Sequence, residues 1–148
     1  MAFGGALAAC QPTTSPAELG PSAAGLDQVP LTVTSGNRTH RFVVEVARTE
    51  EQQAMGLMNR SSLAPDRGMI FPFAQPRPAS FWMKNTLIPL DIIFVRSDGT
   101  IANVAANTVP LSLEPVLSEG TVGSVLELAG GRAEELGIRA GDKVAWTD

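Results

Sequence analysis

A chain of 148 residues has room for one domain and a short extension, and a hydrophobic fraction of 44% lets it bury a core. Its 11 Lys and Arg against 15 Asp and Glu give a formal net charge of −4, which argues against a nucleic-acid partner, because neutralising phosphates takes a basic stripe. One Cys and one His exclude an intramolecular disulfide, leave a Cys/His zinc site short of ligands, and restrict any Ser-His-Asp or Cys-His mechanism to His40.

Met1 to Ala9 is small and apolar and ends at Cys10. Leu7-Ala8-Ala9-Cys10 resembles the lipobox of bacterial lipoproteins, in which the Cys carries the lipid. Residues 1–9 are therefore expected to be a signal-peptide remnant and Cys10 the attachment point. A basic n-region and a longer apolar stretch are missing from this start. No apolar run reaches the ~18 residues of a membrane span, so the membrane is expected to be reached only through the lipid. Gln11 to Gln28 carries Pro12, Pro16, Pro21, Gly20 and Gly25 without an apolar period, so residues 10–28 read as a flexible tether. The domain is expected over 29–148, in the periplasm or at the cell envelope.

Within it, 14 Gly and 11 Pro in the chain favour turns and short elements over long helices. Leu31 and Val33, then Phe42, Val44 and Val46, alternate with polar residues around Ser35-Gly36-Asn37, which predicts a hairpin. Thr49 caps a short helix over Glu50 to Met55, with acidic residues in its first turn and Gly56 as its stop. Arg60 to Arg67 reads as loop and Gly68 to Phe73 as strand. Pro76 and Pro78 bar Ala74 to Ala79 from the interior of a sheet. Ser80 to Lys84 and Leu90 to Arg96 read as strands, and Ser97-Asp98-Gly99 turns the chain into a strand over Thr100 to Ala106. Pro110 to Gly120 is expected as a long loop, Val122 to Leu128 as a strand, Gly130 to Leu136 as a short helix ended by Gly137, and Asp142 to Trp146 as the last strand. Seven or eight short strands and two short helices predict a mainly β (α+β) domain, a small partly closed barrel that hides its strand edges.

The run from Phe81-Trp82-Met83-Lys84-Asn85 through Thr86-Leu87-Ile88-Pro89-Leu90 to Asp91-Ile92-Ile93-Phe94 resembles the signature of the DUF192 family, also called UPF0127. Gly56-Leu57-Met58-Asn59-Arg60, Gly68-Met69-Ile70-Phe71 and Val125-Leu126-Glu127-Leu128-Ala129-Gly130 agree with it. The resemblance spans Leu31 to Trp146. It implies a bacterial or archaeal protein, often exported, with a compact β-rich domain, and it supplies no biochemical activity. Ala133 to Val144 also resembles the helix, Gly-Ile, turn and strand unit of double-psi barrels and some PDZ domains, which supports a barrel and says little about ligands.

The segment from Trp82 to Asp91 sets an indole beside Lys84, Asn85, Thr86 and Asp91, and Pro89 interrupts regular pairing. Apolar wall and a few polar groups are what a small-ligand site needs. Lys84 or Arg60 could hold an anion, and Asn85 both donates and accepts. The same residues have plain structural uses: Asn85 and Thr86 could satisfy loop backbone, and Asp91 could pair with Lys84 or Arg60. Glu127 shares a strand face with Val125, and an exterior face is slightly preferred for it; an interior one would call for a cation such as Arg60 or Lys84.

Asp91, Glu127 and Asp142 have no calcium-loop spacing, and Met55, Met58, Met69 and Met83 read as core filler before a Cu(I) site, so no metal or cofactor is expected. Three functions stay open. One is a binding module for a small molecule or an envelope protein through the Trp82 to Asp91 surface. Another is a hydrolase or lyase with Asp91 or Glu127 as base and Lys84 or Arg60 as electrophile. The third is a structural accessory of the envelope.

Overall fold

The computed structural model describes residues 19–148; Cys10 and the targeting segment lie outside the described residues. Among the described residues seven strands and two helices follow in order: β1 Gln28–Ser35, β2 Arg38–Val46, α1 Glu50–Met55, β3 Arg67–Phe81, β4 Leu90–Val95, β5 Ile101–Ala105, β6 Val116–Ala129, α2 Arg132–Leu136 and β7 Lys143–Trp146. They form one sheet in the order β5-β4-β6-β3-β2-β1-β7. The sheet curls into a half-barrel, and its two outer strands approach each other. Thr100 bridges Lys143, Val144 donates to the Gly99 carbonyl at 2.8 Å, and Ile101 donates to the Asp142 carbonyl at 2.8 Å. The small, partly closed barrel expected from the strand count is thus the observed architecture.

Local chemistry explains the pieces. The β1–β2 hairpin pairs Ser35 with Arg38 around Gly36, whose φ of 60° suits glycine. Thr49 and Gln52 form a reciprocal capping box at the start of α1. Two expectations need correction. Ser80 to Lys84 is not a separate strand: β3 runs unbroken to Phe81, and residues 82–84 belong to the loop that follows. The prolines are tolerated because β2 pairs with β3 only up to Ile70, so Pro76 and Pro78 lie where β3 has one neighbour, β6, with register shifts on either side. The long loop also ends earlier than Gly120. β6 starts at Val116, held by the Phe81–Val116 pairing, although its first residues carry no apolar alternation.

Both faces of the central strands are buried, and every residue of β4 is inside. One core fills the barrel, with Leu31, Phe42, Val44, Ile93 and Leu126 among its members and α2 contributing Ala133. A second core lies on the outer face of β3, β4 and β6 and contains Leu57, Met69, Phe71, Met83, Ile92 and Val125. Each fully buried Leu, Ile or Phe contributes about 1.5–3 kcal/mol. The N-terminal approach to β1 also docks: Leu26 packs against this second core, and the Ser22 hydroxyl donates to Glu45.

Candidate functional site

The second core is incompletely filled. A cleft of about 220 Å³ opens between α1, the outer half of β3 and the loop after it. α1 is pinned there by Gln53, whose Nε2 donates to the Ala47 carbonyl at 3.0 Å and to the Pro72 carbonyl at 2.7 Å. Gly56 ends the helix against Phe71: a Cβ at this position would lie 3.4 Å from that ring. Phe71 and Phe81 meet edge to face with centroids 5.0 Å apart, and Leu57 and Phe73 extend the apolar wall.

Glu127 lies in this wall. β6 is an interior strand, flanked by β3 and β4, and Glu127 stands opposite Met69 of β3 and Ile92 of β4. Alternation puts its side chain on the face of Val125, which belongs to the second core. The expected pairing of Val125 with Glu127 holds, but the exterior preference does not, because this sheet has no solvated face here and Glu127 is 5% exposed. Among the described residues no cation neutralises it. Burial alone pushes its carboxyl up to about 8, so near neutral pH it is mainly the uncharged acid.

Of the residues singled out in the sequence, Trp82, Thr86 and Glu127 share this cleft. Trp82 is half-exposed at its rim, while Thr86 is buried and donates its hydroxyl to the Lys84 carbonyl at 3.0 Å. Lys84 is exposed beside them, its Nζ 5.1 Å from the Trp82 ring centroid. Asn85 is structural. Its φ is 52°, and its carbonyl accepts from the Asn59 N–H at 2.8 Å, joining two loops.

Arg60 and Asp91 are engaged elsewhere. Arg60 is bound through both terminal nitrogens to the buried Glu45, with Nη2 to Oε1 at 3.2 Å, and borders a neighbouring hollow with Leu26 and Met58. Asp91 is fully buried and pairs with neither Lys84 nor Arg60. Its carboxylate accepts backbone N–H groups from Asn107 at 2.9 Å, Gly131 at 3.0 Å and Ala133 at 2.7 Å, which fastens the start of α2 to β4. Asp142 accepts from the Arg139 N–H at 2.9 Å. Among the described residues no three of His, Cys, Asp and Glu gather where they could hold a metal ion. His40 lies on β2 opposite Val33 and lines no part of the cleft.

The sequence reading missed Arg77. It lines the cleft, with its guanidinium carbon 3.9 Å from the Phe73 ring centroid. Its position between Pro76 and Pro78 read only as barred from a sheet interior, and the nearby Phe73 was the one signal of a stacked cation.

The family model DUF192, described as uncharacterized ACR, matches residues 31–146. A crystal structure of a protein of unknown function from Novosphingobium aromaticivorans is 46% identical, with a TM-score of 0.84, covering 92% of this chain and 99% of that one. A crystal structure from Sinorhizobium meliloti, of a protein named a candidate transcription regulator, is 40% identical, with a TM-score of 0.80, covering 82% of this chain and 95% of that one. Among curated proteins no match is found.

Proposed function

We propose, for a chain that belongs to the DUF192 family, that the domain is a binding module whose ligand is a small molecule seated in the cleft beside Glu127. One observation carries the reading. A carboxyl group is held in an aromatic-walled hollow without a cation to neutralise it, and such a group costs stability that its fold alone does not recover. Pockets for drug-sized ligands run to ~300–1,000 Å³, so a cleft of about 220 Å³ suits a smaller one.

A catalytic reading ranks second, favoured by the same carboxyl: an acid pushed up to about 8 can donate or accept a proton near neutral pH. The electrophile it needs would be Arg77, since Arg60 is occupied by Glu45. The regulatory name of the Sinorhizobium meliloti protein is not carried over, because a net charge of −4 supplies no phosphate-binding stripe. Attachment to the envelope through Cys10 belongs to this proposal too; mass spectrometry of the native membrane fraction would reject it on finding an unmodified Cys10.

An NMR fragment screen tests the binding reading. Hits should shift the Trp82 indole and the Thr86 amide. Ala54 is exposed on α1 and lines the cleft, so Ala54→Trp should obstruct it without disturbing a core and weaken those hits about tenfold or more. Binding that survives Ala54→Trp, or a screen with no hits, would refute it.

A further inference from the structure

Among the described residues lining the cleft, two side chains are ionisable, the acid Glu127 and the base Arg77. Neither has an ion-pair partner among the described residues. The described ion pairs engage Arg48, Arg60, Arg67 and Arg132 instead. Nor do the two pair with each other, although both border one hollow. Arg77 is exposed and lies against the Phe73 ring, which holds its planar fork in place while leaving its N–H donors unused. Glu127 is 5% exposed, and Arg77 stands opposite Val122, five positions before Glu127 on β6, while Phe71, Phe81 and Leu57 line the same cleft.

An unpaired acid and an unpaired guanidinium on one aromatic-walled cleft leave it with two groups of opposite polarity to satisfy. Resting on the reading of this cleft as a ligand site, we infer that its ligand is a small zwitterion, with an ammonium group against Glu127 and a carboxylate on the Arg77 fork. The orientation follows from burial. A bidentate guanidinium–carboxylate contact tolerates the exposed rim, whereas the buried carboxyl gains most from a cation that enters with the ligand. A simple amine would meet the Arg77 charge at the rim, and a simple carboxylate would leave Glu127 unsatisfied. The distance between the two groups then selects the chain length of the amino acid.

Isothermal titration calorimetry on the full chain tests this with glycine, γ-aminobutyrate and ε-aminocaproate, against butylamine and butyrate. One amino acid should bind about tenfold or more tighter than either single-charge probe, and Glu127→Gln and Arg77→Gln should each weaken it about tenfold or more. Seating an ammonium on Glu127 should also expel its proton. With the carboxyl pushed up to about 8, roughly 0.9 proton leaves per ligand at neutral pH, read as a dependence of binding enthalpy on buffer ionisation heat. That release should vanish in Glu127→Gln. Arg77→Gln changes an exposed residue, so it keeps the test decisive if Glu127→Gln fails to fold. Equal binding of butylamine or butyrate overturns the zwitterion and leaves the cleft a binding site. So does the absence of amino-acid binding when fragments still occupy the cleft. If neither class binds, both readings fall.

Discussion

Replacing Glu127 by Gln keeps the shape of the side chain and removes its proton equilibrium. The carboxyl titrates near 4.5 when solvated and is pushed up to about 8 in the fold by burial. Between those values the native state binds more protons than the unfolded one, so stability falls as pH rises. The slope is about 1.4 kcal/mol per pH unit. From about pH 4.5 the wild-type protein should lose roughly 3 kcal/mol by neutral pH and about 5 kcal/mol above pH 8, where the loss levels off. Glu127→Gln carries no such loss. Its advantage over wild type should be smallest near pH 4.5 and grow through neutrality. Urea unfolding of both proteins at several values across this range, followed by tryptophan fluorescence, measures the difference directly. Two stability curves that run parallel would refute the reasoning, because a constant offset means that the carboxyl titrates alike in the folded and unfolded chains.

Removing the Asp91 carboxylate leaves three backbone N–H groups without acceptors, so Asp91→Ala should cost about 3–5 kcal/mol in urea unfolding, an orphaned buried donor costing about 1–3 kcal/mol. Asp91→Asn retains one acceptor oxygen and should cost roughly half as much; equal losses would show that the N–H groups are not what Asp91 serves. Arg60→Ala strands the buried Glu45 and should destabilise by about 3 kcal/mol, while the double change Arg60→Met, Glu45→Met should recover most of that in the same assay. Lys84→Ala removes an exposed ammonium from the Trp82 ring and should cost under about 1 kcal/mol, checked as a small change in the thermal midpoint.

The hairpin at Ser35-Gly36-Asn37 and the helix from Glu50 to Met55 were legible because their signals are local: a turn between alternating strands, and a cap with its stop. The continuous β3 was not. A proline forbids pairing on one side only, and the sequence does not reveal that β2 stops short and leaves that side empty. The site divided in the same way. Trp82 and Thr86 were found because they share one short segment with polar neighbours, yet Lys84, Asn85 and Asp91 in that segment point to other tasks. The alternation along β6 correctly put Glu127 with Val125. Which face was wet is a property of the whole sheet, and here both are covered. Arg77 enters the cleft through a bulged strand whose register no local pattern specifies.

The meeting of Thr100 with Lys143 gives the four residues of β7 two duties at once. They occupy the open side of β1 and screen the open side of β5. A chain without this strand would bare two rows of unsatisfied amides and carbonyls. Its characteristic failure would then be stickiness, with copies adding end to end through those rows while most of the sheet persists. The residues of β7 therefore act as insurance against polymerisation as much as they contribute to the core.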